Sequence, residues 1–86
     1  MANLKKISET EFILSGDLNF MTTAIIYEEN LSIFENTTEH LNINLQGVQH
    51  VDSSGLALIV EWYRMVQKNN QRLTVSNMPT QMHDLA

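Results

Sequence analysis

Residues 41–60, LNINLQGVQHVDSSGLALIV, contain the two patterns that decide the fold. In residues 41–46 apolar side chains alternate strictly with amides, which is typical of a strand with one face in the core and one polar face. Gly47 is predicted to end this strand. Asp52-Ser53-Ser54-Gly55 follows, and Asp and Ser are preferred N-cap residues. We therefore predict a second helix over residues 54–69.

The part of the chain before this stretch has the same order of strand and helix. Residues 12–14 predict a strand that Gly16 ends, and a turn near Glu9 precedes it. A first helix is predicted over residues 21–36, with Thr22 or Thr23 as its cap. Its apolar stripe, at three- and four-residue steps, consists of Ala24, Tyr27, Leu31 and Phe34.

The part after residue 69 adds one more strand and one more helix. Residues 73–75 alternate as a strand does, and Pro79 occupies the first-turn position of a last helix with Met82 on its apolar edge. This order predicts an α/β sandwich, a sheet with helices packed on it. The length of 86 residues allows one domain over residues 1–86.

Composition and charge exclude several classes of function. Hydrophobic residues make up 43% of the chain, which indicates a folded domain. The net charge of −5 opposes binding to nucleic acid or to an anionic membrane surface. The chain has no Cys, so it has no disulfides and no thiolate zinc site. The N-terminus has no signal-peptide pattern, and no apolar run approaches membrane-spanning length. We expect a soluble cytoplasmic protein.

The residues whose side chains are capable of chemistry do not form a recognisable catalytic or metal site. His50, Asp52 and Ser53 are the residue types of a hydrolytic triad, but they lie within four residues and their side chains point in different directions. His40, His50 and His83 lack metal-ligand spacing. The three glycines form no phosphate-binding loop. We therefore predict no enzyme activity, no metal and no cofactor.

Asp52–Gly55 has two interpretations. In the first, it is a helix cap with a tight turn and nothing more. In the second, the Ser53 hydroxyl at the helix N-terminus faces unpaired amide N–H groups, where a phosphate would be well tolerated. Phosphorylation of Ser53 would add about −1.5 to −2 charges and switch the binding of a partner.

The second helix is apolar on more sides than a helix on a sheet requires, because residues 56–60 are all apolar. One apolar face is predicted to consist of Leu56, Ile59, Val60, Tyr63 and Val66. A second contains Leu58, Trp62 and Met65. Either this second face is buried under neighbouring segments, or it forms an outward ridge that docks a partner.

Three segments together resemble the STAS domain, the sulfate transporter and anti-sigma factor antagonist superfamily. They are Ser15-Gly16-Asp17-Leu18, the strand of residues 41–46, and residues 51–56, VDSSGL. The resemblance implies a small α/β sandwich with a mixed central sheet, and a non-enzymatic function in binding other proteins. In anti-sigma factor antagonists the first serine of the motif is the phosphorylated switch, which corresponds to Ser53.

Residues 55–62 and 77–82 further resemble the STAS subunit of the bacterial Mla-type phospholipid ABC transporter. That branch implies binding to the cytoplasmic ATPase of the transporter, and hence a position peripheral to the inner membrane. The partner-binding residues would be Asp52, Ser53, Ser54, Gly55, Leu58, Trp62 and Met65. The alternative is an antagonist that an anti-sigma kinase phosphorylates at Ser53. An uncovered sheet edge would also permit a homodimer.

Two departures from the Mla-type pattern are present. The motif of that branch often has Thr where this chain has Ser53, and either hydroxyl suits a helix start. Relatives usually continue beyond the position of Ala86, which implies a truncated C-terminal end.

Overall fold

The computed structural model of the chain describes residues 2–36 and 40–85, and their backbone forms four strands and four helices. In chain order these are β1 (Asn3–Lys6), β2 (Glu11–Leu18), α1 (Phe20–Glu29), α2 (Leu31–Asn36), β3 (His40–Val51), α3 (Ser53–Lys68), β4 (Arg72–Ser76) and α4 (Thr80–Leu85). The predicted α/β class is confirmed. Ala86, at the predicted truncation, lies outside the described residues.

The strands form one sheet in the order β1-β2-β3-β4. β1 pairs antiparallel with β2, whereas β2–β3 and β3–β4 are parallel, so the sheet is mixed as predicted. Parallel pairing requires a crossover connection, here α1 and α2 between β2 and β3, and α3 between β3 and β4. Consequently the C-terminal ends of β2 and β3 lie at the same edge of the sheet.

One hydrophobic core lies between the sheet and the helices. Alternate residues of β2 and β3 point into it, among them Leu14, Leu41 and Ile43, each at most 1% exposed. The helices contribute Ile26, Phe34, Leu58, Ile59, Trp62, Val66 and Met82 to the same cluster. Because one cluster contains residues from α1 to α4, these helices cover the same face of the sheet.

β2 and β3 both continue beyond their predicted ends, so the prediction that Gly16 and Gly47 end their strands is wrong. Gly16 has a φ of 94°, and the β2–β3 register shifts on either side of it. Such irregularities bend a strand without ending it. Gly47 pairs with Ser15, and a Cβ on Gly47 would lie 2.6 Å from the Ser15 Cβ. A glycine is needed at position 47 because β3 lies close to β2 here, and not because the strand ends.

The predicted first helix is two helices, because α1 ends at Asn30, whose side-chain Nδ2 donates to the Ile26 carbonyl oxygen at 2.9 Å. The predicted apolar stripe is partly wrong. Phe34 is buried as expected, but α1 buries Thr23 and Ile26 while Ala24 is exposed. Because the chain breaks after α1, α2 has its own axis. One helical periodicity therefore cannot describe the buried residues of both helices.

α3 spans Ser53–Lys68, within one residue of the predicted helix at each end. Its buried stripe consists of Gly55, Leu58, Ile59, Trp62 and Val66. The predicted face that joined Ile59 with Val60 and Tyr63 is therefore wrong in part, because Val60 is 50% and Tyr63 39% exposed.

The outward ridge of Leu58, Trp62 and Met65 is also corrected by the structure. Leu58 is 5% and Trp62 1% exposed, and Met65 is half-buried against the core. The physical reason is that these side chains belong to or pack against the core cluster between the sheet and the helices, where the Phe34 ring stacks on the Trp62 ring with centroids 5.7 Å apart. The alternative of burial under neighbouring segments is the one that holds for Leu58 and Trp62.

The C-terminal elements agree with the sequence to within one residue. β4 contains the predicted strand of residues 73–75, and α4 begins at Thr80, one residue after Pro79. The Pro79 carbonyl oxygen accepts a hydrogen bond from the Met82 N–H at 3.0 Å. Met82 is fully buried. α4 is therefore packed onto the core close to the end of β3.

The contrast between Trp62 and its neighbour provides a test of the core. Trp62→Ala should lower the free energy of unfolding by about 3–5 kcal/mol, because it removes a buried ring and leaves a cavity. Tyr63→Ala, one residue further and 39% exposed, should cost much less. Urea titration followed by circular dichroism measures both. Equal losses would contradict the burial assigned to Trp62.

Candidate functional site

The candidate site lies where β2 and β3 end and α1 and α3 begin. Leu18 pairs with Val51 at the ends of the two parallel strands. The Asp52 N–H then donates to the Leu18 carbonyl oxygen at 3.0 Å. The first residues of both helices are thereby held at one edge of the sheet.

α3 begins with a side-chain cap. Asp52 has extended backbone, with φ −109° and ψ −171°, and its Oδ1 accepts from the Ser54 N–H at 2.8 Å. The Asp52 carbonyl oxygen accepts from the Gly55 N–H at 3.0 Å. Asp52 is thus the N-cap, one of the capping residues that the sequence offered here, and Ser53 is the first helical residue, one position before the predicted start.

Gly55 allows α3 to start close to the strands. A Cβ at this position would lie 2.3 Å from the Val51 Cγ2 and 3.0 Å from the Leu18 Cβ. Real Cβ atoms do not approach other atoms to 2.3 Å, so any larger residue would push the helix away from the sheet. The glycine of the motif therefore serves packing, and this role differs from the direct partner contact predicted for it.

α1 also begins with a side-chain N-cap. The prediction that Thr22 or Thr23 caps this helix is wrong. The cap is Asn19, whose Oδ1 accepts from the N–H groups of Met21 and Thr22, both at 3.0 Å. Thr22 Oγ1 accepts in return from the Asn19 N–H at 2.9 Å, which completes a capping box. The signal was present, because Asn is a preferred N-cap and Thr22 follows three residues later.

Ser53 is exposed at this edge, and Ser54 is half-buried. The Ser53 side chain is attached to the first turn of a 16-residue helix, where the helix dipole favours negative charge. The fold therefore presents a hydroxyl to solvent on a rigid, capped helix start. Such a side chain is accessible both to a docking protein and to a kinase.

The hydrolytic alternative has no support in this geometry. His50 Nδ1 donates to Asp17 Oδ1 at 3.0 Å, so the imidazole is directed to a carboxylate on β2. A triad also contains such a bond between base and carboxylate, but among the described residues neither Ser53 nor Ser54 makes a hydrogen bond to the His50 ring, so no hydroxyl is activated. The side chains of this pair are 77% and 48% exposed, so it contributes little to stability.

Two concave surfaces adjoin Ser53. A shallow cleft of about 290 Å³ lies below the helix starts, and the Gln81 Oε1 closes it by accepting from the Val51 N–H at 3.2 Å. A second, open groove of about 450 Å³ runs between α1 and α3. Its lining consists of Phe20, Thr23, Ala24, Tyr27, Ser54, Ala57, Leu58 and Glu61.

Two exposed apolar residues at the start of α1 were not predicted from the sequence. Phe20 is 79% and Met21 74% exposed, at the start of α1. Large apolar side chains exposed side by side mark interaction surfaces. The only signal in the sequence was an apolar pair immediately after a good N-cap residue, Asn19, and outside the predicted stripe.

The described residues were compared with the requirements of a metal site and of a membrane-spanning helix. Within residues 2–36 and 40–85, no group of three or more His, Cys, Asp or Glu side chains is placed to hold a metal ion. None of the helices in this part of the chain has the length and hydropathy of a membrane span. The side chain of His83 lies outside the described residues.

The comparison with protein families decides the classification. The family model described as "Mlab, STAS domain" matches residues 6–86, nearly the whole chain. The chain belongs to the STAS-domain family. The resemblance inferred from VDSSGL is therefore confirmed, and members of this family are generally binding modules without catalysis of their own.

A curated relative of this STAS domain is an anti-sigma F factor antagonist from Paenibacillus polymyxa. The two are 27% identical over 73 residues, which cover 84% of this chain and 62% of the relative. The chain thus spans less than two thirds of the length of that protein.

Two solved structures share the fold. The anti-sigma factor antagonist SpoIIAA in its unphosphorylated form matches with a TM-score of 0.76 and 16% identity, over 99% of this chain and 76% of that chain. A structure of Mglu matches with a TM-score of 0.64 and 21% identity, over 91% of this chain and 19% of that chain. At these identities the likeness concerns the fold.

The structure brings together only part of the predicted site. Asp52, Ser53, Ser54 and Gly55 form the start of α3, where Asp52 and Ser53 are exposed. Leu58 and Trp62 lie in the core below, so these two do not belong to an exposed contact surface. The exposed apolar residue that lines a groove with Ser54 is Phe20 of α1.

The cap at Asp52 gives a prediction with a matched control. Asp52→Ala should destabilise the domain by about 0.5–2 kcal/mol, because the Ser54 N–H loses its acceptor. Asp52→Asn keeps a capping oxygen and should retain most of the stability. Thermal unfolding of the two variants measures the difference. If Asp52→Asn were as unstable as Asp52→Ala, the charge rather than the cap would be responsible.

Proposed function

We propose that this STAS domain is a regulatory protein-binding module that docks through the start of α3. The observation that carries the proposal is the placement of Ser53, exposed on a capped helix start next to Ser54, which lines a groove together with the exposed Phe20 of α1. Protein interfaces usually combine an apolar centre with polar contacts around it.

The partner we propose is the cytoplasmic ATPase subunit of a Mla-type phospholipid ABC transporter, with this domain in a peripheral position at the inner membrane. The name of the matching family, Mlab, supports this choice. In the complex, Ser53 places its hydroxyl against the ATPase. Phe20 and Met21 supply the apolar contact that the sequence analysis assigned to Leu58 and Trp62.

The mechanism requires that the domain bind one arrangement of the ATPase more tightly than another. A ligand shifts an equilibrium only by the difference between its affinities for the two states. Asp52 and Gly55 contribute by holding α3 in place, since one caps the helix and the other permits its close approach to Val51. The domain acts by binding, and the ATPase performs the chemistry.

A second candidate is an anti-sigma factor antagonist, which the curated relative from Paenibacillus polymyxa favours. In that role a partner kinase transfers a phosphoryl group to the exposed Ser53 hydroxyl. The added negative charge lies next to the Asp52 carboxylate and weakens the kinase complex through like-charge repulsion and desolvation. The same surface serves both candidates, and they differ in the partner.

A charge at Ser53 tests the docking surface. Ser53→Asp should abolish binding to the partner while the fold is retained, because the complex would bury a carboxylate without a countercharge. The measurement is co-purification with the ATPase subunit or the anti-sigma kinase, with circular dichroism to verify folding. Ser32→Asp is the matched control, since Ser32 is exposed on α2. Unchanged affinity of Ser53→Asp would remove Ser53 from the interface.

Ser53→Ala separates the two candidates. If the partner is a kinase, this variant should still bind but should no longer take up phosphate from ATP in the presence of that kinase. If the partner is the transporter ATPase, the wild-type chain should stay unphosphorylated in the complex. Mass spectrometry of the chain after incubation measures the phosphate. Uptake by Ser53→Ala equal to that of the wild type would contradict the assignment of Ser53.

A further inference from the structure

We propose that two copies of this chain pair through β4, antiparallel and centred on Thr74, so that their two four-stranded sheets join into one. The sequence left open which edge of the sheet a second copy would use. This inference concerns a surface other than the start of α3, and it does not rest on the proposed function.

β4 has a neighbouring strand on one side only, since the order of the described strands is β1-β2-β3-β4. It pairs with β3 from Arg72, opposite His40, to Ser76, opposite Asn44. Within the described part of the chain, residues 72–76 make no other backbone hydrogen bond. An edge strand of this kind presents a row of unpaired N–H and C=O groups, and these fit the backbone of another strand.

The helices leave the core face of β4 partly open. Leu73 and Val75 point to that face and are only half-buried. Their register partners on β3, Leu41 and Ile43, are 0% and 1% exposed. A further strand outside β4 would cover the remaining area of Leu73 and Val75, and burial of apolar area favours association.

The sequence of β4, RLTVS, has a polarity pattern that reads the same in both directions. A two-fold contact requires such self-complementarity, because each copy uses the same surface. Centred on Thr74, antiparallel pairing places Leu73 opposite Val75 of the second copy and the two threonines opposite each other. Apolar pairs and threonine pairs directly opposite each other stabilise antiparallel strands. β4 is therefore a suitable partner for itself.

The charges also favour β4 as the contact between two copies. The chain has a net charge of −5, yet residues 62–83 contain no Asp or Glu. Pairing through β4 therefore brings no carboxylate of this segment against another. The Arg72 of each copy would lie opposite Ser76, and the two arginine Cα atoms would be about 13 Å apart along the strands. This separation exceeds the screening length of about 8 Å at physiological salt.

The other edge of the sheet is less suited to pairing. β1 has four residues, and two of them, Lys5 and Lys6, are exposed lysines. Lysine on a short edge strand is a common protection against strand pairing. β4 has one cation, at its first residue. This difference selects β4 of the second copy, rather than its β1, as the strand that pairs.

The dimer would present its two Ser53 side chains at opposite ends of the joined sheet, because the two β4 strands run in opposite directions. The start of α3 follows the end of β3 and is not part of the β4 edge. Each copy therefore keeps this surface free, and one dimer has two separate docking points.

Sedimentation velocity of the 86-residue chain over a range of concentrations tests for the dimer. A contact between two five-residue strands is small, so we expect weak, concentration-dependent dimerisation. Thr74→Lys places two lysines opposite each other and should abolish the dimer. Gln46→Lys is the matched control, because Gln46 is exposed on β3 outside the register with β4. Circular dichroism verifies that both variants fold.

A single introduced thiol tests the register, because the chain has no Cys. Directly opposite residues of antiparallel strands have Cα atoms about 4.5–5.5 Å apart, a distance that a disulfide spans. Thr74→Cys should therefore form disulfide-linked dimers in oxidised glutathione. Ser76→Cys should do so roughly tenfold more slowly or less, since its two Cα atoms would be about 13 Å apart. Non-reducing gel electrophoresis measures both rates.

Several results would overturn the inference. A monomer at every concentration up to the solubility limit would remove the dimer, and a dimer that survives Thr74→Lys would move the contact to another surface. Equal cross-linking of Thr74→Cys and Ser76→Cys would contradict the register. If the purified ATPase or kinase protected the Thr74→Cys thiol while the chain alone stayed monomeric, the β4 edge would belong to that partner.

The dimer and the proposed function fail independently. A dimer through β4 in a chain that binds neither the ATPase nor the kinase would support this inference and contradict the proposed function. A monomer whose partner binding is abolished by Ser53→Asp would contradict this inference and leave the proposed function intact.

Discussion

The hydrogen bond from the Asp52 N–H to the Leu18 carbonyl oxygen, 3.0 Å long, joins the ends of two parallel strands. The candidate site depends on this junction, because it places the starts of α1 and α3 at one edge of the sheet. Each helix then has its own side-chain cap, Asn19 and Asp52. Ser53 is exposed there because Asp52 provides the cap, which leaves the serine hydroxyl outside the capping hydrogen bonds to Ser54 and Gly55.

The same packing explains why the proposed partner surface includes α1 as well as α3. The Phe34 ring stacks on Trp62, and Leu58 and Trp62 of α3 point into the core. What remains outside on α3 near Ser53 is small, namely Ala57. Phe20 and Met21 on α1 therefore supply most of the exposed apolar area beside the motif. A surface that combines an exposed hydroxyl with an apolar groove suits a module that acts by binding.

Much of the fold could be predicted because residues 41–46 and 52–55 have unambiguous local patterns. The rotation of α3 about its own axis could not be predicted. Residues 56–60 are all apolar, so every rotation of the helix buries some of them. Packing of α3 against the sheet and the other helices decides that Leu58 and Trp62 point inwards. The cap of α1 was missed because Asn19, Thr22 and Thr23 all have capping side chains, and the choice depends on where β2 ends. In the site, the position of Asp52 and Ser53 at a helix start was predictable from the motif. That Phe20 lines the same groove as Ser54 depends on the parallel pairing of β2 with β3, which are distant in sequence.

The most direct test of Ser53 as the docking point uses the absence of cysteine from the chain. A Ser53→Cys variant has a single thiol, and so has the control Ser32→Cys on α2. The rate of maleimide labelling is measured for each, free and in complex with the purified ATPase subunit or anti-sigma kinase. Partner binding should strongly slow the labelling of Ser53→Cys and leave that of Ser32→Cys unchanged. Equal labelling rates for free and bound Ser53→Cys would contradict the account.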